Sequence, residues 1–186
     1  ILDNLTDETT MGTHVQTMFE TFERLDVATG YFNLRGWSLF SDLVDEKMAH
    51  NPEAPVARIL VGMVQGSAHQ EVIAAYEREV EGDEDITADR EMAVERRKAL
   101  LGVLRGQLMR GIPSNADRQT LARLHDQISS GAVEVRVFCD QPLHGKTYIF
   151  HRSDPSQPTV GLVGSSNLTH PGLTTNLELN TDVVDS

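Results

Sequence analysis

His144 and Lys146 are separated by a single glycine, and on an extended chain that spacing turns both side chains to one face, about 6 to 7 Å apart along the strand. Imidazole and ammonium so placed suit a phosphodiester: the ring attacks phosphorus or moves a proton, and the cation holds the non-bridging oxygens. The run Gly164-Ser165-Ser166-Asn167 comes next, after an apolar strand. Its small residues allow a tight turn whose amides and hydroxyls point at an anion, and Asn167 adds a side-chain donor. His170 stands close enough to this turn to touch the same phosphate. Glu178 is the third element, set in "NLELN" between Leu177 and Leu179, which face the other way on an extended chain. A carboxylate there orients a histidine and fixes its tautomer. The same residues have plainer uses: two strands joined by a hairpin, a Ser-Asn turn capping a short helix near Leu168, and a solvated edge-strand charge.

These residues need a sheet to gather them. "VEVRVFC", "KTYIFH" and "TVGLVG" read as three closely spaced strands, "RSDPSQP" joins the last two as a hairpin loop, and "NLELNTDVV" alternates as a final strand. Upstream, Met11, Val15, Met18, Phe19, Phe22 and Leu25 recur at spacings of three and four, which predicts a first helix. "DVATGYF" reads as a buried strand ending near Phe32. Asn33 caps a second helix through "LRGWSLFSDLVDEKM" with Trp37, Phe40 and Val44 inward, and "VARILVGM" has the apolar continuity of a strand covered on both faces. Trp37, Phe32 and Tyr31 are expected in the core rather than stacked on a base. A further helix, "DRQTLARLHDQISSG", is expected to turn Leu121, Leu124 and Ile128 inward and to end at Gly131. Between them, residues 70–112 form an acidic helical section, the candidate insertion. The expected fold is α/β: a mixed sheet flanked by helices, in one domain spanning residues 1–186.

Composition narrows the function. With 39% hydrophobic and 24% charged residues the chain is a globular protein of one core. No apolar run approaches the ~18 residues of a membrane span and no signal-peptide pattern opens the sequence, so a cytoplasmic protein without membrane contact is expected. The opening at Ile1 and the close on "DVVDS" suggest a domain excised from a longer protein. Cys139 is the single cysteine, which excludes an intrachain disulfide and a thiolate metal cluster, and its apolar surroundings suit an inert core thiol. His14, His50, His69, His125 and His170 lack ligand spacing, so no metal is expected. The formal charge of −12 argues against a free-standing DNA binder. Glu71 to Glu95 alone carries ten acids against Arg78 and Arg90, so nucleic-acid binding would lean on a partner or neighbouring domain. Arg105, Arg110 and Arg118 are the basic candidates for backbone phosphates.

In order and spacing, His144-x-Lys146, Gly164-Ser165-Ser166-Asn167 and Glu178 resemble the phospholipase D superfamily, and within it the nuclease-like branch of small endonucleases, some restriction enzymes and the amino end of bacterial helicase-type proteins. The resemblance is specific over residues 138–179. It implies that His144 attacks phosphorus to form a phosphohistidine, that Lys146 and Asn167 hold the non-bridging oxygens with Ser165 or Ser166 in support, and that Glu178 hydrogen-bonds a histidine. It implies no cofactor and no metal. It also implies a second histidine to protonate the leaving oxygen, and a homodimer supplies one from a single copy of the motif. Where the longer family motif has aspartate, this chain has His151. DNA is the substrate so implied, with a covalently linked helicase domain in the full-length protein. A binding module with weak or no catalysis, and a hydrolase of phospholipids or small phosphodiesters, are the alternative functions.

Overall fold

The computed structural model of the chain describes residues 2–50, 55–62, 94–95, 98, 101–108, 114–138, 143–154, 156 and 159–184. Its centre is a six-stranded mixed sheet in the order β3-β2-β1-β4-β5-β6. The strands are β1 (Arg24–Thr29), β2 (Ala57–Val61), β3 (Val133–Val137), β4 (Lys146–His151), β5 (Thr159–Gly164) and β6 (Asn180–Val184). β1, β2 and β3 run parallel, whereas β4, β5 and β6 continue from β1 by antiparallel pairing. Parallel neighbours early and antiparallel neighbours late follow from the connections: helices lie between the first three strands, a loop joins β4 to β5, and a longer link carrying a short helix joins β5 to β6.

Strict alternation of burial in β1 and β4 puts Leu25, Val27, Thr29, Lys146, Tyr148 and Phe150 on one face. Helices α1 (Met11–Thr21), α2 (Leu34–Trp37), α3 (Ser41–His50), α4 (Asn115–Ser129) and α5 (His170–Thr174) accompany the sheet. Burying side chains such as Phe19, Phe40, Phe150 and Leu162, all fully enclosed, contributes about 1.5–3 kcal/mol each. The opposite face of β2 carries exposed Arg58 and half-buried Leu60, so among the described residues this strand is covered on one face, not on both as its composition suggested.

Local differences from the sequence reading have local causes. α1 stops at Thr21 because Phe22 turns extended, and Leu25 belongs to β1; the three-residue apolar spacing simply runs on across the junction. Asn33 does cap α2, its Oδ1 accepting from the Gly36 amide at 2.8 Å. The helix expected to follow is split at residues 38–40, where the Ser38 hydroxyl donates back to the Arg35 carbonyl. In α4, Leu121 and Ile128 are 39% and 43% exposed, while Asp117, Leu124 and Gln127 face inward. Gln127 earns that place by accepting from Trp37 Nε1 at 2.9 Å and donating to the Ser41 carbonyl at 3.0 Å. Gly131 ends the helix with φ of 81°, the left-handed cap that glycine adopts without strain. Of the 70–112 section, residues 94–95, 98 and 101–108 are helical; the remainder, the acids from Glu71 to Glu91 and, elsewhere, Cys139 lie outside the described residues.

Candidate active site

His144 is exposed at the lead-in to β4, and Lys146, 7% exposed, opens the strand. The Lys146 ammonium lies 3.1 Å from Nδ1 and 3.0 Å from Nε2 of His144 and 3.2 Å from its carbonyl oxygen. Nearly equal distances to the two ring nitrogens place the ammonium against the ring as a whole rather than along one nitrogen's lone pair. Burial holds the Lys146 ammonium below the ordinary lysine range, while the Glu178 carboxylate pulls the other way.

Backbone support for this pair comes from the ends of β1 and β2. Thr29, the register partner of Lys146, receives the Gly62 amide on its carbonyl at 2.9 Å, and the Gly62 carbonyl accepts from the Leu143 amide at 3.2 Å. A Cβ on Gly62 would stand 2.3 Å from both Cβ and O of Leu143. Only a bare backbone lets the segment carrying His144 lie across the strand end. Gly62→Ala is expected to shift that segment and lower kcat of phosphodiester hydrolysis by about 10²-fold, with KM changing far less. Steady-state kinetics on the folded variant check this, and an unchanged kcat would remove Gly62 from the account.

The Gly-Ser-Ser-Asn turn leaves β5 and is clamped from three sides. Tyr148, fully buried, donates to the Ser166 carbonyl at 3.1 Å; burial pushes its phenol far up, so it stays a donor. Asn180 receives the Ser166 amide on Oδ1 at 3.2 Å and donates from Nδ2 to Ser166 Oγ at 2.9 Å and to the Leu2 carbonyl at 3.3 Å. Thr29, completely enclosed, donates to the Tyr31 carbonyl at 2.9 Å and receives the Leu168 amide at 3.0 Å. The Tyr31 amide in turn donates to Asn167 Oδ1 at 3.0 Å. Because a backbone amide can only donate, that bond fixes the Asn167 carboxamide and directs its Nδ2 hydrogens elsewhere.

Each expected site residue now has a place. His144, Lys146 and Glu178 share one end of the sheet, Glu178 acting electrostatically on both Lys146 and Tyr148. Asn167 joins them through Thr29, which touches the turn and pairs with Lys146. Ser165 is exposed, its Oγ accepting from the Leu179 amide at 2.9 Å. Ser166 is wholly buried and engaged by Asn180, so its side chain braces the turn from behind. His170 begins α5 and bonds Thr174 at 3.2 Å, with no contact to His144 among the described residues. Glu178 lies just before β6, half-buried between Leu177 and Leu179, which are 75% and 65% exposed. Among the described residues its side-chain hydrogen-bond partner is Asn176 Nδ2 at 3.5 Å rather than a histidine. His151 sits at the far end of β4, with Nε2 3.0 Å from Asp26 Oδ2 and Arg24 Nε 3.0 Å from Oδ1 of the same carboxylate. The residue that departs from the longer motif therefore lies beside the Asp26–Arg24 ion pair, away from the turn. Arg105 and Arg118 are exposed, and Arg110 lies outside the described residues.

Thr29, Tyr148 and Asn180 escaped the sequence reading because a single polar residue in an alternating strand gives no sign of a partner on another strand. Replacing Glu178 by glutamine removes the charge that opposes desolvation of Lys146. The ammonium then loses its proton at lower pH, and the alkaline limb of the pH–rate profile is expected to move to lower pH. A limb that stays in place would show that Lys146 does not govern it.

Paired imidazole and ammonium, a turn with a directed carboxamide and a nearby carboxylate form a surface suited to a phosphodiester anion. No curated protein matches the chain. The described residues contain no helix long and apolar enough to cross a membrane. Residues 15–186 match the family model described as cardiolipin synthase, PLD-like domain, a family that generally hydrolyses phosphodiesters, and the six-stranded mixed sheet has the form of that fold. The chain belongs to the phospholipase D-like family.

Proposed function

We propose that the chain is the endonuclease domain of a cytoplasmic DNA helicase or restriction system, a metal-independent phosphodiesterase acting through a phosphohistidine. The observation that carries this reading is the Lys146 ammonium 3.0 Å from the ring of an exposed His144, with Glu178 in electrostatic range. A ring nitrogen of His144 forms a bond to phosphorus while the bond to the leaving oxygen breaks. Lys146 and the Asn167 Nδ2 hydrogens stabilise the charge on the non-bridging oxygens. The leaving oxygen needs a proton at that moment, and His144, whose lone pair is committed to phosphorus, cannot give it. His144 of a second copy supplies it, and the same ring then takes a proton from the water that breaks the nitrogen–phosphorus bond. Glu178, which has no histidine partner among the described residues, is available to orient an imidazole in this dimer. The net charge of −12 favours a linked helicase domain as the part that holds DNA.

Plasmid nicking in excess chelator, measured across the concentration range of dimer dissociation, tests the reading. Activity should persist with chelator and fall steeply on dilution. Full activity per chain in the monomer, or a strict need for a divalent ion, contradicts it. Leu5, Leu177 and Leu179, all more than 60% exposed near Glu178, favour a second reading, phospholipid hydrolysis at a lipid surface. Turnover of vesicles in preference to plasmid would establish that reading in place of the first.

A further inference from the structure

Thr29 closes β1 with its side chain on the face that carries Lys146, and it is the cross-strand partner of that lysine. Residues directly opposed on an antiparallel pair hold their Cβ atoms about 4.5–5.5 Å apart, so the stem of the ammonium starts from beside the threonine. Thr29 is fully buried, and its hydroxyl is committed in both directions: it donates to the Tyr31 carbonyl at 2.9 Å and accepts from the Leu168 amide at 3.0 Å. Neither bond can reverse, because a carbonyl only accepts and an amide only donates. Leu168 follows Asn167 in the chain, and its carbonyl is held in turn by the Asn33 amide at 3.1 Å. Tyr31 gives its own amide to Asn167 Oδ1 at 3.0 Å. One hydroxyl therefore reaches Asn167 by two routes, through the next residue of its backbone and through the residue that orients its carboxamide. Tyr148 and Asn180, by contrast, engage the turn at Ser166.

We infer that Thr29 is a positioning residue for the anion site, fixing the Asn167 Nδ2 hydrogens relative to the Lys146 ammonium, an inference that rests on the phosphodiesterase reading. Two donors that share the non-bridging oxygens help only when their separation matches the anion as charge develops on it. A misplacement of one donor by a fraction of an ångström lowers the rate more than it weakens substrate binding. Valine has the shape of threonine and makes neither bond, so it releases the carboxamide without opening a cavity.

Kinetics of the full chain on bis(p-nitrophenyl) phosphate test this. Thr29→Val is expected to lower kcat by about 10-fold or more with KM changed less than about 3-fold, whereas Thr29→Ser, which keeps both bonds, stays within about 3-fold of wild type. Asn167→Ala alone should cost about 10²-fold, and adding Thr29→Val to it no more than about a further 2-fold, since the group being positioned is gone. A Thr29→Val loss that persists undiminished in the Asn167→Ala background, or that Thr29→Ser shares in full, shows a role in the fold alone and overturns the inference. Wild-type kcat in folded Thr29→Val does the same. Thr29→Cys, matched in size to Thr29→Ser and weaker at both bonds, takes the place of the valine variant if that one does not fold. Dianionic inorganic phosphate, titrated by phosphorus NMR, carries the charge that a diester gains only in the transition state, and Thr29→Val should bind it about 5-fold more weakly, with no such effect in the Asn167→Ala background. If that pattern stands while wild-type protein hydrolyses no phosphodiester, the positioning role is supported and the hydrolytic reading alone falls. Phosphate affinity indifferent to Thr29→Val overturns the positioning role whether or not hydrolysis is seen.

Discussion

His144→Ala is expected to lower turnover of a generic phosphodiester such as bis(p-nitrophenyl) phosphate by ~10⁴-fold or more, because the proposed mechanism loses the atom that bonds to phosphorus. The fold should be indifferent to it. His144 is exposed, and Lys146 retains its 3.2 Å contact to the carbonyl at position 144. The stability change is expected within about 0.5 kcal/mol, as for surface substitutions generally. Kinetics together with circular dichroism and sedimentation decide the matter. A folded variant with the assembly state and turnover of the wild type would remove His144 from the chemistry, and a variant that unfolds would contradict the separation of site from core.

Asn180→Leu is expected to act in the opposite way, on stability first. Asn180 is 2% exposed and satisfies the Ser166 amide, Ser166 Oγ and the Leu2 carbonyl at once. Leucine has similar volume and none of these bonds, so the buried Ser166 groups lose their partner. With roughly 1–3 kcal/mol for each buried group left unsatisfied, a loss of about 3–5 kcal/mol is expected. Denaturant titration should show a lower midpoint at unchanged slope. Activity should fall with it, since the turn that carries Asn167 hangs on this clamp. A loss below about 1 kcal/mol would mean that the turn is held by Tyr148 and Thr29 without Asn180.

The sequence disclosed periodicity better than partnership. β4 and β5 follow directly from alternation in "KTYIFH" and "TVGLVG", whereas the exposure of Leu177 and Leu179 beside a half-buried Glu178 is the reverse of what their hydrophobicity sets. Asn33 and Gly131 were legible because capping is local chemistry, settled within four residues. The failures are positions where a long-range polar partner outweighs hydrophobicity. Gln127 takes the inward place in α4 because Trp37 Nε1 needs an acceptor, and Ile128 is left outside. Thr29 is enclosed because two backbone segments, at Tyr31 and Leu168, need its hydroxyl. Gly62 reads as an ordinary strand-ending glycine until Leu143 is seen to lie against it. The motif residues were found by spacing, whereas the residues that hold them were visible only once the strands were in register.

Rapid quenching of wild-type enzyme during turnover into alkali, where phosphohistidine survives, followed by peptide mass spectrometry, tests the central claim most directly. The account predicts a phosphoryl adduct on His144, formed during turnover and absent from His144→Ala. Turnover without any adduct at His144, or with the adduct on another residue, would contradict it.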